Sequence, residues 1–408
     1  MVRRQANLIT SFTRIPGNSV ANEHTTSFGR DSSSPSLMLF NDGPAHRLGN
    51  RQKAAITVTI TYVPLVVLGA LQGLALGATR AESVILDPAM FARFLVALPI
   101  LILTSSTCQS VVNEVARHFQ EAGLVKETDQ QRYAAIVTSA NRLRNSRAAI
   151  WICFGLACAY SAFFAFLVLP GMSMSWRTLG TEGHRSLSLA GWWFVTVSQP
   201  IYLLVLLHFL YHVALWWQFL WRTSRFNLQL HAVHPDGAGG LGFLGLTLFT
   251  FRMPAFAISA SFAGGLATLV LVNGARVSDF RYEIAAVVLF VVGLFAYPLT
   301  SFFYRELSRA RQRGVLDYWK LNEAQMRQFE KKWIVSQAKP GDMLAVQDFS
   351  EVIDLSSILG NAKQMNLRPF QRSGIVSLVV AVALPFLPVL ALEFPVLDIL
   401  KAILKMLG

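Results

Sequence analysis

The sequence predicts an all-α fold: a polytopic transmembrane helical bundle of about seven spans with cytoplasmic helical extensions. Three observations predict it. Hydrophobic residues make up 53% of the 408 residues and charged residues only 14%, about half the charged share of an ordinary soluble domain. The apolar residues come in blocks of about 20, the length a helix needs to cross roughly 30 Å of hydrocarbon at 1.5 Å per residue. The basic residues collect in alternate connections between those blocks, as orientation in a membrane requires.

The expected spans are 55–78, 92–112, 149–170, 189–220, 246–273, 282–304 and 374–392. Before them, residues 1–54 read as a disordered, basic cytoplasmic segment with no apolar core of a signal peptide. Residues 55–304 then form a six-span bundle that includes a cytoplasmic helical loop, 113–147. A cytoplasmic helical segment, 305–373, continues the sixth span, and 374–408 hold the last span and an amphipathic C-terminal helix. Pro385, Pro388 and Pro395 allow that last segment to break or re-enter rather than cross. With the N-terminus in the cytoplasm, 28 of the 36 Lys and Arg fall on the inner side and 8 on the outer. The net charge of +13 therefore reads as topology in a bacterial inner membrane, not as a nucleic-acid surface. Glu114 to Gly123 and Glu306 to Gly314 echo one another after spans of the same direction. Duplication and matched helix-exit chemistry both explain that echo.

The densest cluster of chemistry-bearing residues is the inner loop from Arg222 to Gly245, with Arg222, Arg225, His231, His234, Asp236, Gly239 and Gly240, and Arg252 just beyond. Its Gly237, Gly239 and Gly242 match a dinucleotide-binding spacing, but no strand precedes them, which removes that reading. The first reading of the loop is a sharp turn made by Pro235 and the glycines and capped by Asp236. An ion or anion site comes second, and a metal site on His231, His234 and Asp236 third, for want of a further ligand.

The run His234, Pro235, Asp236, then Ala238 to Leu244, resembles the hallmark of a family of uncharacterised bacterial multi-pass inner-membrane proteins. Gln72 and Gly73, Ala92 to Leu95, Ala97 to Pro99, Arg142 to Ser146, Arg368 to Phe370 and Pro385 to Pro388 are similar to that family too. The resemblance covers most of the chain beyond residue 45 and implies the fold and the membrane, but no mechanism. Ser105 and Ser106 depart from it, standing where the family pattern implies a Glu.

His208 and His212 share a helix face, a spacing that raises haem. No second mid-membrane His faces them, and the nearby Tyr and Trp residues fit an interfacial belt, so no cofactor is expected. Cys108, Cys153 and Cys158 read as packing residues. Ionisable groups are scarce at mid-depth: Arg93 and Arg252 sit near span ends and Glu393 at the far end of the seventh span. Uncharged polar residues recur instead, from Thr104 to Thr107 and at Thr196, Ser198, Gln199, Ser259 and Ser261. Pro64, Pro99, Pro200, Pro254 and Pro298 bend or break the spans that hold them. Ala257, Ser261 and Gly265 form a small-residue packing strip. No compact catalytic motif is present, so the chain is not expected to be an enzyme.

The expectation is a homo-oligomeric channel or facilitative transporter for a small ion or solute, with Arg222, Arg225, His231, His234, Asp236 and Arg252 as an inner vestibule. The alternative is a membrane scaffold or signalling protein that binds a cytoplasmic protein partner through 113–147 and 305–370.

Overall fold

A computed structural model describes residues 49–77, 79–168, 175–179, 186–335 and 347–393. The expected N-terminal segment, up to residue 48, and the expected C-terminal amphipathic helix, beyond residue 393, lie outside the described residues.

Among the described residues, seven helices are long and apolar enough to cross a membrane. They are α1 (Asn50–Leu71), α2 (Pro88–Glu121), α4 (Arg147–Val168), α5 (Leu189–Thr223), α6 (Gly242–Asn273), α7 (Val277–Val335) and α9 (Arg372–Leu390). Two shorter helices, α3 (Gln130–Arg144) and α8 (Gln347–Gln364), lie between them in sequence. A two-residue hairpin pairs β1 (Thr178–Leu179) with β2 (Ser186–Leu187). The bundle thus has two ends. The hairpin end carries 72–77, 79–87, 175–179, 186–188 and 274–280; the loop end carries 122–146, 224–241 and 364–371.

Several boundaries move from the sequence reading, each for a local reason. The first span begins at Asn50, so residues 50–54 are helix rather than part of a disordered segment. It stops at Leu71 instead of residue 78, because Gly73 takes φ +72° and turns the chain. The Gln72 side chain then accepts the Leu189 amide at 2.8 Å, tying that turn to the start of α5. The sixth span and its extension are one helix of 59 residues. Gly314 is inside it and packs against Ala232, whereas Gly123 has φ +65° and ends a helix turn. The two glycines of the sequence echo are therefore not equivalent. The seventh segment, although broken by a 3-10 turn at Leu384–Phe386, runs along α6 to the hairpin end. There the Glu393 carboxylate accepts the Ser278 amide and hydroxyl, both at 2.9 Å. It reaches the far end rather than turning back.

At the centre, α6 packs on α2, α7 and α9, and α5 on α1, α2, α3 and α4. The loop-end half is filled with rings. Phe119 stacks on Phe303 at 6.2 Å and meets Phe243 edge-on at 5.1 Å, with Phe219 and Tyr133 beside it. Such offset and edge-on contacts are the favoured aromatic geometries.

Candidate functional site

The inner loop that attracts attention in the sequence folds into a tight knot. Asp236 Oδ1 accepts the amides of Ala238 at 2.8 Å and Gly240 at 3.1 Å, and Oδ2 accepts the Gly242 amide at 2.7 Å. His234 Nδ1 lies 2.8 Å from the same carboxylate. Partial burial would raise the Asp236 carboxyl, but these three amides and His234 hold it below the usual carboxylate range. Gly239 at φ +68° and Gly240 at φ +97° allow the chain to coil this closely. A methyl group on Gly239 would come within 2.7 Å of the Met365 side chain. The knot also binds neighbours: the Asn366 amide donates to Gly237 O at 2.8 Å, and the Gln229 amide to Leu124 O at 2.9 Å.

The structure thus brings His234, Asp236, Gly239 and Gly240 together, and the His231 amide joins them through Gly239 O at 3.3 Å. It does not gather the arginines around them. Arg225, in the turn after α5, lies over the Trp221 ring and Arg252 over the Phe249 ring of its own helix, while Arg222 sits in the last turn of α5. The His231 side chain instead lines a cleft of about 440 Å³ with Arg309, Arg313, Glu306 and Asp317 of α7. Among the described residues no group of three His, Cys, Asp or Glu is placed to hold a metal ion. His208 and His212 meet edge to face at 4.4 Å, and His208 Nδ1 is buried with no hydrogen-bond partner among the described residues.

A second site, at the hairpin end, is dispersed in the sequence. It begins with a buried ion pair. Asp87 precedes α2 as its N-cap and accepts the Ala89 amide at 3.0 Å, with Pro88 at the first helical position. Its carboxylate also accepts Arg177 Nη2 at 2.8 Å, Trp176 Nε1 at 2.9 Å and Thr268 Oγ1 at 2.8 Å. Asp87 is 3% exposed and Arg177 7%. Burial alone would raise the Asp87 carboxyl, yet the Arg177 guanidinium and the other donors hold it below its ordinary value. Arg177 lies over the Trp176 ring at 4.5 Å, and its Nε has no hydrogen-bond partner.

Beside this pair is a cavity of about 160 Å³ between α2, α4, α5 and α6. Arg93, Gln199, Tyr202 and Ser261 supply its polar lining, and Phe94, Phe164 and Phe194 much of the rest. Three π-helical turns converge here: Phe91–Ala97, Phe164–Val168 and Phe194–Ser198. Two have a visible cause. Pro99 and Pro200 have no N–H to offer the carbonyls four residues back, at Leu95 and Thr196. The ladder slips by one residue, so that the Leu98 amide reaches Arg93 O and the Gln199 amide reaches Phe194 O. Turns of this kind frequently mark functional sites in helices.

The polar groups in the cavity are incompletely used. Tyr202 donates to Ser261 Oγ at 2.6 Å, giving Ser261 a role beyond the small-residue strip. Gln199 is 5% exposed, and its Oε1 is buried without a partner. Among the described residues no ion pair or hydrogen bond is formed by the Arg93 side chain, and the nearby charge that acts on Arg177 from it is repulsive. Asp87 thus pairs with Arg177 and not with Arg93. The sequence reading counted Arg177 among the outer-side charges, placed Arg93 near a span end and took Gln199 as one of several polar residues. The 90-residue separation of Asp87 and Arg177 left no local signal. Pro99 and Pro200 were the legible trace.

Comparison of the chain with family models, with curated proteins and with solved structures finds no match.

Proposed function

We propose that the chain is a facilitative transporter of a small organic anion, with the hairpin-end cavity as its binding site. The observation that carries this reading is Arg93 without a counter-ion on the wall of a cavity that also holds the unused Gln199 Oε1. Buried or half-buried polar groups are ordinarily satisfied, and an unsatisfied set facing a cavity is complementary to a ligand rather than to the fold. A cationic group in low-dielectric surroundings attracts an anion far more strongly than it would in water. The rings packed around Phe119 favour a carrier that rearranges over an open channel, because they fill the route toward the loop end. The bias of basic residues supports a loop end facing the cytoplasm of a bacterial cell, with the cavity in the outer half of the inner membrane. The reading assigns no catalysis and no cofactor.

Flux of permanently charged anions into proteoliposomes tests it. Labelled benzenesulfonate should enter faster than into protein-free vesicles, and choline should not. Equal rates for both, or no rate above the vesicle leak, would remove the transport reading.

One observation favours the scaffold reading, in homo-oligomers or with a cytoplasmic protein partner. The helices α7 and α8 expose Leu316, Trp319, Met326 and Ile353 beyond the membrane-length part of α7. Replacing Trp319 and Met326 by Ser should abolish a co-purifying partner in that case and leave flux unchanged in the other.

A further inference from the structure

We infer that the anion taken by the hairpin-end cavity is the headgroup of an acyl-chain amphiphile, and that it enters sideways from the bilayer between α4 and α6. The inference rests on the cavity being the ligand site, and adds the ligand's class and its route.

The route follows from packing. Helix α4 packs chiefly on α5, and α6 on α2, α7 and α9, so α4 and α6 flank the cavity without closing over it. The residues at that gap, Tyr160 on α4 and Phe262 on α6, are 52% and 49% exposed. In a membrane those faces meet hydrocarbon. At that gap a water-soluble anion loses its hydration at an aromatic rim with nothing polar to offset the loss, so entry by this route is slow for it. An anion on an acyl chain is already held by the bilayer, and its tail can stay there while the head enters.

The ligand class follows from size and lining. A cavity of about 160 Å³ is comparable to those that hold a benzene-sized molecule. It accommodates a headgroup and the first few carbons, not a whole lipid. Leu203, Leu206 and Ile258 provide the apolar wall for those carbons. The guanidinium of Arg93 matches a carboxylate or phosphate with two parallel hydrogen bonds. The Gln199 side-chain amide, whose Oε1 is unpartnered, turns its Nε2 donor toward the same anionic head. Free fatty acids and anionic phospholipids share this chemistry.

The test uses the full chain in nanodiscs of neutral phosphatidylcholine. Saturable binding of radiolabelled palmitate is expected. Arg93→Gln should weaken it at least tenfold and Gln199→Leu about threefold, while Arg132→Gln, on the exposed face of α3, leaves it unchanged. Displacement of palmitate by phosphatidylglycerol built into the disc points to a phospholipid head, and persistence in its presence to a free fatty acid; both support the inference. If Arg93→Gln does not purify as a folded protein, Ser261→Leu, which fills the cavity, should abolish binding instead. Non-saturable binding, or binding that both cavity variants leave intact, overturns the inference. Benzenesulfonate flux without palmitate binding sinks this inference alone. Palmitate binding without flux of any sulfonate, decanesulfonate included, sinks the transport reading alone.

Discussion

The two ends of the bundle use their polar residues in opposite ways. At the loop end, a compact run of His, Asp and Gly closes on itself, and every oxygen of Asp236 is satisfied by amides of its own loop. At the hairpin end, residues contributed by four separate helices leave Arg93 and Gln199 Oε1 unsatisfied around a cavity. A motif that is dense in sequence is dense because its residues bind each other. A ligand site in a helical bundle draws one residue from each of several helices, so it is sparse in sequence and shows as unmet hydrogen-bonding capacity in space.

The largest expected effect comes from cutting the pair that frames the cavity. Asp87→Ala leaves Arg177 buried without its counter-charge and should cost about 3–5 kcal/mol, read as a fall in thermal stability in detergent by tryptophan fluorescence. Replacing both partners, Asp87→Leu with Arg177→Met, should recover most of that loss. If the double variant is no better than the single one, the pair is not the unit that holds this end.

Next is Asp236→Ala, which strips three loop amides of their acceptor and should cost about 2–3 kcal/mol. Transport per folded molecule should hardly change. A variant of wild-type stability and no flux would reverse the comparison and return the site to the loop.

Acid should weaken both ends together. Asp87 and Asp236 both lie below their ordinary values. Their contributions are therefore complete at pH above the unfolded carboxyl value and are lost as pH falls through and below about 4. A stability curve flat from pH 7 to 5 and falling below 4 is expected; loss centred near pH 6 would contradict this assignment.

A smaller effect is expected for Gly239→Ala, about 1–2 kcal/mol, because the residue has positive φ and faces Met365, whose flexible end can yield. The smallest is the stability change on Arg93→Gln, about 0.5 kcal/mol or less in either direction, since the side chain has no partner to lose. A large destabilisation there would mean that Arg93 serves the fold.

How much of this was legible follows the same division. Long apolar blocks gave the seven helices, since span length is fixed by hydrocarbon thickness and not by tertiary context. Asp87-Pro88 is a helix-start pattern that a span read from residue 92 passed over, whereas the turn reading of Pro235 to Gly242 matches the knot. What the sequence could not show was pairing across distance. Nothing local says that Asp87 meets Arg177, or that Thr268 on α6 joins them. The C-terminal prolines left a broken or re-entrant segment open, and it was the contact of Glu393 with Ser278 that put the end of this segment beside 277–280. Pro99 and Pro200 announced distorted helices. That both distortions would aim side chains into one cavity required the packing of α2 against α5.

The most direct test of the account is the initial rate of benzenesulfonate uptake into proteoliposomes for two variants measured side by side, Arg93→Gln and the loop-end double variant Arg222→Gln with Arg225→Gln. The account predicts at least a tenfold loss for Arg93→Gln and a change of less than twofold for the loop-end pair. The reverse ranking would contradict it.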